Sequence, residues 1–153
     1  MTGPVITSFG LRVGVPPRWD VRIYRRQPLP GEAAHAVLHA ATFPLPTATG
    51  DYGDGAVDLM GPSDVFVALV EFAPESARAA LFAAAGFPPP LQAEDLRRTT
   101  LQHQLGRQSG VQRFFHVEGR AWCLYTVIGD DRAGVALIAR ANQLIAGIEV
   151  AAA

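Results

Sequence analysis

Residues 9–15 read FGLRVGV, an alternation that places Phe9, Leu11, Val13 and Val15 on one face and predicts a half-buried strand stopped by Pro16 and Pro17. Trp19-Asp20-Val21-Arg22-Ile23-Tyr24 resumes the alternation, with Trp19, Val21 and Ile23 on one side. The two segments are expected to pair as antiparallel strands joined at the prolines. Residues 31–42, GEAAHAVLHAAT, favour helix by propensity but are short and followed by Pro44 and Pro46, so 36–42 is read as a strand. Residues 64–72, DVFVALVEF, are rich in β-branched and aromatic side chains and predict a strand with Val65, Val67, Leu69 and Glu71 facing one way.

Beyond that strand the pattern lengthens. Pro74-Glu75 opens an Ala-rich stretch with Gly86 past its end, which predicts a short helix over 75–85. Phe87-Pro88-Pro89-Pro90 is a stiff connector, Ala93-Glu94-Asp95-Leu96 suggests a helical turn, and the polar residues 97–110 carry no clear period. Residues 111–118 and 121–128 read as two strands of a hairpin turning at Gly119-Arg120. Leu137, Ile138, Ala141, Leu144, Ile145 and Ile148 recur at helical spacing, predicting an amphipathic helix over 132–146 that lies on the sheet and ends at Gly147. Asp130 or Asp131 is placed to cap its start. No internal repeat or composition break divides the chain, so 1–153 is read as one domain with flexible ends at 1–8 and 150–153.

The composition narrows the chemistry. A chain of 153 residues buries roughly 70% of its unfolded surface, enough for a substantial core. All 13 cationic residues are arginines and the formal net charge is −1. Without lysine there is no Schiff-base nucleophile, no lysine-bearing P-loop and no intact protein-kinase constellation. The arginines are spread along the chain and give no nucleic-acid footprint. One cysteine, Cys123, leaves no intrachain disulfide and no multi-cysteine metal site, and within Ala121-Trp122-Cys123-Leu124-Tyr125 it reads as a small buried hydrophobe. The opening MTGPVITSFGLRVGVP has neither the basic start nor the apolar stretch of a secretory signal, and no run approaches the roughly 20 apolar residues of a membrane span. A cytoplasmic location is expected.

The C-terminal third, FFHVEGRAWCLYTVIGDDRAGVALIARANQLIAGIEV, runs strand, tight turn, aromatic strand, acidic loop and closing helix. Together with Val15-Pro16-Pro17-Arg18-Trp19, it resembles the PsbP-like superfamily, and the order of elements matches that pattern over most of the chain. The resemblance implies an α+β fold, an antiparallel β-sheet flanked by α-helices. Members of that superfamily act mostly as accessory or binding proteins, among them an extrinsic photosystem subunit and a regulator that binds a small GTPase. No catalytic residue is carried over from it.

Candidate chemistry is sparse. DYGDGAVDLMGPSD brings Asp51, Asp54, Asp58 and Asp64 together, but an EF-hand starting at Asp51 would meet Gly53, Gly55 and Pro62 at ligand positions, so the stretch reads as a polar turn. His35 and His39 lie four apart without the Glu of the metalloprotease pattern, and His103 and His116 belong to no motif. None of Ser8, Ser63, Ser76 and Ser109 sits in a nucleophile elbow. No catalytic, cofactor-binding or metal-binding residue is assigned. Arg22, Arg25, Arg26, Arg113 and Arg120 lie on or beside predicted strands, and arginine favours interface ion pairs and stacking. Trp19, Arg22, Tyr24, Arg113 and Arg120 therefore form the candidate partner surface, provided they share a face. The expected function is a non-catalytic protein-binding or assembly component with a protein partner or a second copy of itself. The alternatives are a small-ligand binder or enzyme with a pocket between sheet and helix, lined by Trp122, Tyr125 or His116, and a structural subunit of a bacterial secretion or injection assembly.

Overall fold

The computed structural model describes residues 3–25, 30, 35–47, 50–101 and 104–152. Among these residues eight strands and one α-helix run in the order β1 (Val5–Ser8), β2 (Leu11–Gly14), β3 (Asp20–Arg25), β4 (Ala36–Ala41), β5 (Val65–Phe72), β6 (Ser109–Val117), β7 (Arg120–Ile128), α1 (Gly134–Ile145) and β8 (Ile148–Val150). They build two antiparallel sheets, a three-stranded β1-β2-β8 and a five-stranded β3-β4-β5-β7-β6. The fold is thus α+β with antiparallel sheets and a single α-helix among the described residues. No described helix is long and apolar enough to cross a membrane.

The large sheet carries a core on each face. Val65, Val67, Leu69, Trp122, Leu124 and Ile128 pack against Leu137, Ile138, Ala141, Leu144 and Ile145 of α1, and Leu11, Val13 and Ile148 of the small sheet close the same cluster. On the reverse face Val37, Phe66, Ala68, Val70, Tyr125 and Val127 are covered by Leu45, Ala56 and Leu101, with Phe43, Tyr52 and Met60 beside them. The central strands are apolar on both sides because both sides are covered. This is why β4, with its Ala-rich sequence AVLHAA, is a strand buried along its whole length. Each large apolar side chain so enclosed contributes about 1.5–3 kcal/mol.

The strand at 36–42, the strand at 64–72, the hairpin and the closing helix are all found. Asp130 caps the turn before α1 by accepting from the Arg132 amide at 2.9 Å. Several expectations need correction. The segment 9–15 is not one strand: Phe9 (φ 50°) and Gly10 (φ 79°) turn the chain between β1 and β2. Both φ angles are positive, as a two-residue hairpin loop requires. Residues 5–8, expected to be flexible, are β1, and Val150 ends β8. The strand after the prolines pairs with β4 rather than β2, because Pro16 and Pro17 carry the chain from the small sheet to the large one. Glu118 and Gly119 make the hairpin turn, and Arg120 pairs with Val117 inside the ladder. In place of the helix over 75–85 there are two short 3₁₀ turns, Pro74–Arg78 and Ala80–Phe82. Of their residues only Phe82 is buried, so no apolar stripe holds a longer helix to the sheet.

Candidate functional site

The five residues expected to form a partner surface do not share a face. Directly paired residues of an antiparallel ladder lie on the same side. Arg22 stands opposite His39 and Tyr24 opposite Val37, which puts them on the reverse face, whereas Trp19 is buried in the core shared with α1. Arg113, opposite Leu124, lies on the α1 side and at the far edge of the sheet from β3. Arg120 is buried among backbone carbonyls.

Three more of the arginines are bound into the fold. Arg22 donates to the carbonyls of Leu45 and Pro46 at 2.9 and 3.0 Å, while Asp20 accepts from the Leu45 amide at 2.8 Å; together they hold residues 45–46 to the sheet edge. Arg113 pairs with Asp95 at 3.2 Å. Arg25 lies over the Phe9 ring at 4.7 Å. Arg26 and His103 fall outside the described residues.

Two of the four aspartates of the acidic stretch, Asp51 and Asp64, serve the fold. Asp64 accepts from the Thr42 hydroxyl at 2.9 Å and the Gly61 amide at 2.8 Å, closing the turn before β5. The Asp51 carbonyl meets His39 Nε2 at 2.8 Å, and Tyr24 Oη lies 3.4 Å from the same nitrogen. Burial holds the His39 pKa below its ordinary value, against the opposing pull of the Asp51 carbonyl and charge. His116 Nδ1 lies 2.6 Å from the Phe82 carbonyl. Among the described residues no group of three or more His, Cys, Asp or Glu is placed to hold a metal ion.

A groove of about 780 Å³ lies between sheet and helix, at the N-terminal end of α1. One wall is the segment around Arg97, whose amide and carbonyl bond to Gly110 at 2.8 and 3.0 Å and so extend the edge of the sheet. Arg97 Nη1 donates to the carbonyls of Glu94 and Leu96, and Arg98 Nη2 to that of Gly106. The facing wall is the turn Asp131–Ala133 and the first residues of α1, Gly134, Val135 and Ala136. Gly134 lets this wall approach closely, since a Cβ there would stand 3.0 Å from Leu96 Cδ1. Ser109, at the start of β6, forms part of the lining.

The charge around this groove is mixed but leans positive. Arg97, Arg98 and Arg132 line it with one carboxylate, Asp131, which pairs with Arg107 at 3.7 Å. Arg132 grips Asp130 through Nε and Nη2, and these hydrogen bonds, with the Arg132 amide, hold the Asp130 carboxyl down at about 2. A second groove of about 430 Å³ shares Arg132 and includes Arg107, Gln108 and Leu105. Trp122, Tyr125 and His116, the side chains expected to line a pocket, line neither groove. None of this was visible in the sequence, where Arg97, Arg98 and Ser109 sit at the ends of a polar stretch without period. Comparison of the chain with protein-family profiles, curated proteins and solved structures gives no match.

Proposed function

We propose that this protein is a non-catalytic binding component that recognises an anionic ligand in the groove at the N-terminal end of α1. The observation that carries this reading is the convergence of Arg97, Arg98 and Arg132 on the amide end of a helix, in a concavity between sheet and helix. Positive guanidinium groups and helix N-termini both favour negative charge. The two faces of the large sheet are occupied by cores, so neither offers a flat partner surface.

The test is a thermal-shift comparison with phosphate, sulfate, citrate and acetate at constant ionic strength. At least one anion is expected to raise the Tm of the wild-type chain, and the response is expected to vanish in the triple variant Arg97→Ala, Arg98→Ala, Arg132→Ala. Equal shifts in both proteins, or none in either, overturn the reading.

A second reading rests on Val135 and Leu105, exposed at 78% and 37% and lining the two adjoining grooves. Apolar side chains beside arginines suit an acidic segment of a partner protein, in keeping with the accessory role that the PsbP-like resemblance implies. A partner recovered from host lysate with the wild-type chain and lost with the triple variant supports it. A partner retained by that variant does not.

A further inference from the structure

The least exposed polar residue lining the groove is Ser109. The β6–β7 register pairs it with Ile128, whose side chain belongs to the α1 core, so the serine side chain points to the α1 side of the sheet. Ser109 is 2% exposed, and among the described residues nothing hydrogen-bonds to its hydroxyl. Among the described residues the sealed side-chain atoms without a partner are Gln108 Oε1, Trp122 Nε1 and Thr126 Oγ1; the Ser109 hydroxyl is not one of them and opens on the groove. There it faces a cavity in which a ligand can supply the missing partner.

Three further donor sets surround that cavity. The first turn of α1 has no acidic side chain, and Ala133 at its N-cap provides no side-chain acceptor, so the Val135 and Ala136 amides on the groove meet no side-chain capping oxygen. Asp130 caps the preceding turn and the Asp131 carbonyl takes the Gly134 amide, so this end attracts phosphate-like anions through the helix dipole and the amides beyond Gly134. Arg97 commits only Nη1 to backbone carbonyls and Arg98 only Nη2, which leaves each guanidinium with further N–H groups. Arg132 is held by Asp130 but keeps Nη1 outside that bidentate pair.

Donors of this kind, reaching one space from the helix end, the sheet floor and the arginine wall, match a tetrahedral group with three terminal oxygens better than a planar carboxylate with two. The groove of about 780 Å³ is far larger than a phosphate ion, and Ala93, Leu96 and Val135 give it an apolar portion. We infer that its inner end holds the phosphate of a phosphomonoester, with Ser109, the first amides of α1, Arg97 and Arg98 on the phosphate oxygens and the organic body along Leu96 and Val135. This inference rests on the anion-binding reading above and names the anion.

The test is an NMR titration of the ¹⁵N-labelled full chain with phenyl phosphate, inorganic phosphate and benzoate in turn, at constant ionic strength. The Val135 and Ala136 amide signals are expected to move saturably with phenyl phosphate, more weakly with inorganic phosphate, and little with benzoate. Ser109→Ala is expected to weaken phenyl phosphate binding about tenfold, as loss of a hydrogen bond to a charged group does. Arg98→Gln is expected to weaken it further while leaving the remaining spectrum in place. Movement with benzoate but with neither phosphate overturns the phosphate assignment and leaves the anion reading standing. Tighter binding of inorganic phosphate than of phenyl phosphate overturns the monoester. Failure of all three probes overturns both readings.

Discussion

Arg120 and Glu71 form a buried ion pair, Nε to Oε2 at 2.7 Å, with side-chain exposures of 8% and 15%. The same guanidinium donates to the carbonyls of Phe9, Gly10 and Ala151 at 3.1, 3.4 and 3.3 Å and stacks over Trp122 at 4.6 Å. One side chain of the large sheet thus satisfies the β1–β2 turn and the end of the small sheet. Glu71 in turn accepts from the Ala36 amide at 3.1 Å, tying in β4.

Arg120→Met retains much of the side-chain volume but strands the Glu71 carboxylate and takes the guanidinium donors from the Phe9 and Ala151 carbonyls, while the Gly10 carbonyl keeps the Ala151 amide at 2.8 Å. Breaking one side of a buried pair costs about 3–5 kcal/mol. Urea denaturation is expected to show a loss of that size. A loss below about 1 kcal/mol would equate the pair with an exposed salt bridge and remove it as the link between sheets.

His39 gives the fold a pH dependence whose sign is fixed by its surroundings. Its ring is buried between Tyr24 and Phe66, at centroid distances of 5.3 and 5.2 Å, and its folded pKa lies below the ordinary 6.5, chiefly through desolvation. The Asp51 carbonyl and charge oppose the shift, and Arg22 adds to it. The unfolded chain therefore takes up this proton before the folded one does. Stability from this group is complete above about pH 6.5 and falls as the pH drops below it, by at most about 1.4 kcal/mol per pH unit. Denaturant midpoints at pH 7.5 and 5.5 should differ more in the wild type than in His39→Gln. Equal differences would mean that the histidine is already charged, or already exposed, in the native state.

How much of the fold is legible in the sequence depends on how local each cause is. The strands at 36–42 and 64–72 and the helix α1 are legible because period and propensity express burial directly. The β1–β2 turn is not. It sets Phe9 in a left-handed conformation, and the carbonyls of that turn are satisfied by Arg120, far along the chain. The candidate partner surface fails on the alternation alone. Trp19 and Arg22 are an odd number of positions apart on an alternating segment, so they point to opposite faces. The groove needs the β6–β7 register and the start of α1 to be known together, and no short window of sequence contains both.

Cys123 is expected to be unreactive in the folded protein. Burial pushes its thiol pKa up to about 11, against the contrary effect of hydrogen bonds from Gln112, at 3.4 Å, and Tyr52. At pH 8 only about one thiol in a thousand is then ionised, and the thiolate is the reactive form. Modification by a chromogenic disulfide should be at least about a hundredfold slower in buffer than in 6 M guanidinium chloride. Comparable rates would show that β7 opens readily and that the sheet is less closed than its packing indicates.

Gly53 ties the acidic loop to the reverse face of the sheet. Its φ is +86°, and a Cβ there would stand 2.5 Å from Phe66 Cε1 and 2.7 Å from Cζ. The loop around it is knit by its own backbone: the Gly53 carbonyl accepts from Ala56 and Val57 at 2.8 and 3.0 Å, and its amide donates to Gly50 at 2.9 Å. Gly53→Ala therefore adds a side chain where neither φ nor space admits one. Gly119 separates the two effects, since its φ is +73° but nothing lies within 4 Å of an added Cβ. Gly119→Ala should cost about 1 kcal/mol, from conformation alone. Gly53→Ala should cost about 1–3 kcal/mol more, because Phe66 sits in a close-packed core and cannot withdraw freely. Since Phe66 also packs on His39, displacing this loop admits water to the imidazole, and the pH dependence of stability should flatten in the same variant. Equal costs for the two glycine substitutions would show that the loop gives way without strain, and that it does not seal the histidine.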